Sequence, residues 1–484
     1  VNSRRHYDVA VIGAGLSGLA AAVRAAHFGK SVCVFERHNA PGGLNGFYSH
    51  GGRKFDAGLH AVTNFVPAGI RGTPLGRLLR QLRLDRDQLA LREQNGSRVA
   101  FGPAGEASLR FTNQFAVLES EVARVFPRQI DGFRRLAQRV RESAFEPDAP
   151  LVSARQVMGG FLTDPLCVEM LLCPLMFYGC PNERDFSFGQ MAVLFQAIYL
   201  EGFARPAEGI RLILRLLLDK YREAGGERRM KCGVKRIVAE QGRAAALVLD
   251  DDTEITADHI ISSIGGPETA ALVQAGSSTV PASPALEAFR EQAVGTVSYV
   301  ETMTVFDRQP AEFGWEETIV FFNDSADFHY ESPTEAVDPR SGVICFPNNF
   351  HFTAEELPAE GMMRVTCLAN YERWTTGLSP EAYAAQKSEW FDRVQGSARR
   401  FLPRVDPAAF AASCRATDMF TPRTIERFTG HRNGAIYGSP GKSFRGLTPL
   451  SNLYLCGTDQ GLLGIIGSML SGITMANQRV LAPA

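Results

Sequence analysis

Neither sign of charge is in surplus in this chain: 51 lysines and arginines stand against 52 aspartates and glutamates, a net charge of -1 over 484 residues. Neutralising phosphates takes a concentrated excess of cations, so nucleic acid is excluded as a partner. Paired cysteines are missing as well. The nine cysteines, Cys33, Cys167, Cys173, Cys180, Cys232, Cys345, Cys367, Cys414 and Cys456, are scattered, odd in number and never spaced as CxxC. They offer neither a disulfide framework nor a zinc site, so no metal is expected, and they fit thiols kept reduced in a cytoplasm. Long apolar runs are the third absence. A membrane span needs about 20 nearly uninterrupted apolar residues. Gly461–Ala476 is short and punctuated by glycine, and Met170–Phe203 is broken by Pro174, Gly179, Pro181 and charges. Neither is expected to cross a bilayer. Val1–Tyr7 is polar and basic, and the apolar run after it carries turn glycines in place of a cleavage signal, so no secretion is expected.

What is present is the balance of a globular enzyme, 45% apolar and 21% charged. A chain of this length divides into two or three domains at about 100–200 residues each. Tyr7–Ile12, YDVAVI, reads as a buried parallel strand. Gly13-Ala14-Gly15-Leu16-Ser17-Gly18 follows at once, then a helical stretch Leu19–Phe28 that stops at Gly29, then a second strand, Ser31–Phe35, closed by Glu36. Each residue type answers a need of dinucleotide binding. Gly13 permits the sharp turn, Gly15 the approach of a pyrophosphate, and Gly18 the close packing of helix on strand. The helix N-terminus offers unpaired N–H groups and partial positive charge to the phosphates. Glu36 stands where a carboxylate accepts hydrogen bonds from both ribose hydroxyls.

Further along, Pro206–Ala224 has helical periodicity, with Ile210, Leu214, Leu217, Leu218 and Tyr221 on one side. The segments VKRIVAE, AALVLD and HIISSIG then read as a meander around the polar turn Asp250–Thr253. Asn452–Cys456 reads as a strand that turns through Gly457-Thr458-Asp459 into an apolar helix, Gly464–Asn477. The Pro and Ser cluster Ala275–Pro284 is the clearest boundary.

Glu36-Arg37, Pro41-Gly42-Gly43 and Phe55-Asp56-Ala57-Gly58 fall in the order found in flavoproteins similar to amine oxidases and phytoene desaturases, in which the glycine pair lies against FAD. The whole chain resembles the phytoene desaturase family, which also holds carotenoid cis-trans isomerases and retinol saturases. The likeness is strongest at Val9–His60 and Thr421–Asn477, and FDAGLH resembles the saturase and isomerase branch more than the FDTGP of bacterial desaturases. Two positions depart from the family: Arg205-Pro206-Ala207-Glu208-Gly209 replaces a YPxGG-like approach, and Leu44 stands where an arginine is expected.

The resemblance implies an α/β fold: a Rossmann-type, glutathione-reductase-like FAD-binding domain (1–88, 201–284 and 440–484) with an inserted α+β substrate domain (89–200 and 285–439). It implies FAD as cofactor, held by Gly13, Gly15, Leu16, Ser17, Gly18, Glu36, Arg37, Gly42, Gly43, Leu44, Val234, Gly457, Asp459, Gly464 and Ile465. Val234 would pair with the adenine, Asp459 would bond a ribityl hydroxyl, and the helix opening at Gly464 would place its positive end near the isoalloxazine ring. The implied substrate is a long apolar isoprenoid, and Met170–Phe203 is read as lining a tunnel, resting in one bilayer leaflet, or forming plain core.

The implied reaction removes two hydrogens from adjacent carbons, one as hydride to flavin N5 and one as a proton to a base. His60 is the leading candidate for that base, with Glu201, Arg205 and His431 behind it. Isomerisation and saturation are the alternatives within the family. An amine oxidase using Trp374, Tyr371 and Tyr437 as an aromatic cage is the alternative outside it, and a non-catalytic flavin-binding protein the last. No second nucleotide fold is visible, so oxygen or a membrane quinone is expected to reoxidise the flavin, with the enzyme cytoplasmic and peripheral to the inner membrane.

Overall fold

The computed structural model describes residues 5–143, 146, 148–275 and 283–482. Most of the boundary cluster expected at Ala275–Pro284 lies outside them. The first strand, β1 (His6–Ile12), is buried from Tyr7 onward except at Asp8 and sits inside a parallel region, which is why its sequence is a nearly continuous apolar run. It pairs on one side with β2 (Val32–Glu36) and on the other with Glu254–Ser262. Among the described residues this sheet has eight strands: Val273–Ala275, Val234–Glu240, Arg243–Leu249, Glu254–Ser262, β1, β2 and Glu227–Met230 in that order, with Leu453–Leu455 also on Glu254–Ser262. The meander expected between residues 234 and 265 is thus present, and its last strand is the neighbour of β1.

A second sheet, of seven strands among the described residues, follows the order Cys414–Phe420, Ser298–Phe306, Gly361–Ala369, Ser341–Cys345, Ile319–Asn323, Ser97–Phe101 and Ala107–Phe111. All its pairings are antiparallel except that of Ser97–Phe101 with Ile319–Asn323. With helices packed on both sheets, the fold class is the α/β arrangement that the sequence implied.

Met170–Phe203 is interior. The helix Pro165–Gly179 is apolar except at Glu169, which pairs with Arg155, and Met170, Leu171, Leu172, Leu175 and Met176 are closed to solvent. A second helix, Phe188–Phe195, runs on through a wider turn, Gln196–Glu201, into the same core. A segment so enclosed presents no face to a bilayer leaflet, because its apolar side chains are spent on each other and on the second sheet. Among the described residues, no helix is long and apolar enough to cross a membrane.

The helix after the glycine turn, α1 (Leu16–Ala26), begins three residues earlier than its composition suggested and is alanine-rich on every side. Small side chains let the C-terminal helix, Gly464–Met475, lie directly on it. At Gly472 the approach is closest: an added Cβ would stand 1.9 Å from the Ser17 carbonyl oxygen. Gly472→Ala should therefore cost about 1–3 kcal/mol by forcing the helices apart, read as a lower denaturation midpoint in urea. An unchanged midpoint would show that the contact yields freely.

Candidate active site: a dinucleotide cavity and a buried ionic cluster

A cavity of about 460 Å³ opens at the C-terminal ends of β1 and β2. Its wall includes Gly13, Gly15, Leu16, Ser17, Glu36, Arg37, Gly42, Gly43, Leu44 and Val234 from the sequence-derived set, together with Gly457. The three glycines of the turn have three different reasons. Gly13 has φ +93°, and a Cβ on it would lie 2.7 Å from Ser263 Oγ. Gly18 would put a Cβ 2.3 Å from the Gly13 carbonyl oxygen, so it serves packing and does not face the cavity. Gly15 is unlike both. Its φ of -69° suits any residue, and beyond its two chain neighbours no protein atom lies within 4 Å of where its Cβ would stand. The fold gives Gly15 no reason to be glycine, whereas a ligand occupying that space does.

The electrostatics agree. Gly15 caps α1 without a side-chain hydrogen bond, and the first turn carries no acidic residue, so the positive end of the helix is left for an anion. Glu36 is held in place by Ala14 N–H (2.7 Å) and His38 N–H (2.8 Å), one to each carboxylate oxygen, and a carboxylate has lone pairs left for ribose hydroxyls. Gly42 N–H donates to the Ala14 carbonyl at 2.9 Å, which brings the Pro41-Gly42-Gly43 loop against the glycine turn.

At the distal end the structure corrects the sequence reading. Asp459 is enclosed: its oxygens accept from Gly266 N–H (2.5 Å) and Ser439 N–H (2.7 Å), and Lys442 Nζ lies 3.5 Å away. It staples three segments and does not line the cavity; Thr458, its neighbour, does. Ile465 packs into the core with Ile466, Met469 and Ile473, and Gly464 lies off the cavity wall beside Thr63, so Ser468, one turn on, is the residue of that helix that reaches the cavity. Spacing alone could not set the helix's rotation. The opposite wall was missed as well: the helix Pro422–Thr429 contributes Glu426, Arg427, Phe428 and Thr429, and Gly430–Arg432 continues it.

His431 is part of that wall, its Nδ1 4.0 Å from Glu268, rather than a neighbour of His60. The two remaining weaker candidates are also occupied. Glu201 accepts from Asn64 (2.7 Å) and Gln196 (3.3 Å), and burial raises its carboxyl above the usual range. Arg205 pairs with Asp56 at 2.5 Å and donates to the Leu59 carbonyl at 3.0 Å. Gly209, at φ +68°, is needed because a Cβ there would meet the same Asp56 carboxylate at 2.1 Å.

His60 lies in a cluster whose other members the sequence did not single out. Its Nε2 is 2.7 Å from Glu301 Oε1 and 3.1 Å from Thr366 Oγ1. Arg364 grips Glu301 with two bonds, 2.8 and 2.6 Å, and donates a third to the Leu59 carbonyl at 2.9 Å. Glu301 and Thr366 are directly paired across antiparallel strands, and Arg364 lies two residues along, so all three side chains share one face of the second sheet. Burial pushes the Glu301 carboxyl up, but Arg364 and His60 more than reverse this and bring it down to about 2. The aromatic cage considered for an amine is not assembled from Trp374, Tyr371 and Tyr437. Trp374 is buried behind the second sheet on the Ala336 carbonyl, Tyr371 bonds Glu426, and Tyr437 bonds the Phe177 carbonyl.

The parallel pairing of β1 with β2, a bare helix end at the glycine turn between them and a carboxylate closing β2 define a dinucleotide-binding protein. A family model described as flavin containing amine oxidoreductase matches residues 16–479. The chain belongs to that family, and its cofactor is FAD. Curated relatives include the chloroplastic prolycopene isomerase of Arabidopsis thaliana, 23% identical over 98% of this chain and 82% of that protein. The neurosporene-forming phytoene desaturase of Rhodobacter capsulatus is 28% identical over 54% of this chain and 52% of its own length. Among solved structures, an oxidoreductase from Methanosarcina mazei superposes with a TM-score of 0.68 at 17% identity, over 97% of this chain and 100% of that one.

Gly15→Val places a side chain into the FAD space, its Cβ clear of the protein beyond the chain neighbours of Gly15. It should keep the unfolding midpoint of the apoprotein, measured in flavin-free samples, while flavin absorbance of the purified protein falls to background. A fully yellow Gly15→Val protein would move the diphosphate site elsewhere.

Proposed function

We propose that this FAD-dependent oxidoreductase acts on a long apolar isoprenoid, a carotenoid or related polyene, and introduces a carbon–carbon double bond with His60 as the base. The reading is carried by the setting of His60. Asn45 lines the cofactor cavity and donates to the Gly58 carbonyl at 3.3 Å. His60 follows two residues later, a reach of no more than about 7 Å along the chain. Ala61, next in sequence, belongs to the apolar cluster that contains Phe203, Phe321 and Tyr299, with Tyr178 and Tyr437 at its edge. A titratable ring thus stands between the cofactor loop and an aromatic interior. The names of the curated relatives supply the substrate class.

FAD, when bound, supplies the two-electron acceptor for a hydride. The chain's own task is the second hydrogen. The adjacent carbon gives a proton to His60, and the electron pair of that C–H bond becomes the second bond of the new alkene. Within the proposal Glu36 grips the ribose, the N–H groups opening α1 hold the diphosphate, and Arg205 fixes the Leu59 turn on which His60 stands. A substrate this apolar is drawn from a bilayer, so peripheral membrane contact belongs to the reading, with oxygen or a quinone taking the electrons. A second reading, net-neutral isomerisation, is favoured by the prolycopene isomerase relative, which matches nearly the whole chain.

Purified holoprotein incubated with liposomes holding C30 and C40 polyenes separates these outcomes by absorption and mass. A red shift with loss of two mass units is expected. A small shift at unchanged mass would transfer the assignment to the isomerase, and a blue shift with added mass to a saturase. Inertness toward every polyene, with peroxide released from an amine, would end the isoprenoid reading.

A further inference from the structure

Resting on the reading of His60 as the base, we propose that Glu301 is its positioning residue: the carboxylate takes the hydrogen on Nε2, so that the lone pair on Nδ1 is the atom that accepts the substrate's proton, while Arg364 prevents Glu301 from taking that proton for itself. Two acceptor atoms do not sit at 2.7 Å without a hydrogen between them, and an ionised carboxylate has none to give. The hydrogen is therefore on Nε2. Thr366 fits the same assignment, since its hydroxyl lies 3.4 Å from Glu301 Oε1 and donates there, leaving Nε2 as the donor on the imidazole side. Nδ1 makes no hydrogen bond among the described residues, and the His60 side chain keeps 17% of its surface open.

Arg364 makes this more than a passive hydrogen bond. It is 1% exposed, forks both Glu301 oxygens, and shares Oε1 with His60. A carboxylate so matched stays ionised when the imidazole becomes a cation, so the proton acquired on Nδ1 does not pass through the ring to Glu301. The remaining charged or titratable neighbours reach only the backbone. Arg205, tied to Asp56, donates to the His60 carbonyl at 3.4 Å, and Cys345 Sγ approaches the same oxygen at 3.8 Å. None competes for the ring nitrogens.

The test uses holoprotein labelled with ¹⁵N-histidine, the His60 signals being assigned by their loss in His60→Gln. Above the imidazole titration, Nε2 should give a protonated resonance and Nδ1 an unprotonated one, and in Glu301→Gln the Nε2 proton preference should weaken. In the polyene assay Glu301→Gln should lower kcat on the order of 10²-fold, the low end of what a general base supplies, with KM within about twofold and FAD content unchanged. If the lone Arg364 prevents that variant from folding, the double variant Glu301→Gln/Arg364→Gln removes the orphaned cation and should show the same loss. A wild-type resonance pattern with the proton on Nδ1, or a Glu301→Gln enzyme of undiminished kcat, overturns the proposal, as does a kcat loss matched by loss of FAD. Should the unsubstituted protein convert no polyene, the isoprenoid reading fails by itself, and the imidazole resonances still decide the role of Glu301.

Discussion

The arrangement depends on one unneutralised helix end. The first turn of α1 has neither a capping side chain nor an acidic residue, and Gly15 leaves the space before it free of protein. An end of this kind inside a protein needs an anion to complete it. Everything nearby is placed around that need: Glu36 fixed by two backbone amides at the rim, the Gly42 loop hydrogen-bonded to the turn, and the helix Pro422–Thr429 across the opening.

The sequence made this end of the molecule legible because its constraints are local. Turn glycines, a strand of apolar residues and an acidic residue at fixed spacing can all be read within about thirty positions, and the matched family implies the same cofactor. What could not be read is rotation and distance. Nothing in GTDQGLLGIIGS says that Thr458 and Ser468 reach the cavity while Asp459 and Ile465 turn inward, because that depends on how the C-terminal helix settles on the alanine face of α1. Met170–Phe203 posed a related difficulty, since an apolar run reads alike whether it meets lipid, a ligand or its own core.

The ionic cluster was illegible for a different reason. Glu301 and Arg364 are ordinary charged residues in sequence, the first of them 241 positions from His60, and only the pairing register of two strands of the second sheet puts Glu301, Arg364 and Thr366 on one face. His60 itself could be singled out, because FDAGLH carries it next to the cofactor loop. Its partners could not. Arg364 of the second sheet and Arg205 of the short strand Ala204–Pro206 converge on the Leu59 carbonyl, so the chain is gripped from two sides one residue before the imidazole. This junction ties the Leu59 turn to the second sheet more directly than apolar packing alone would, since charged forks have a single good geometry where packed methyl groups have many.

The walls of the cofactor cavity are contributed by residues near 12–45, 233–272, 426–432 and 457–468. A ribosome emitting this chain therefore releases the phosphate-gripping turn hundreds of residues before the surfaces that enclose it. A nascent chain stalled before residue 426 would carry the recognition loop and the wall near residues 233–272 but lack the helix Pro422–Thr429 and the segment around Gly457–Ser468.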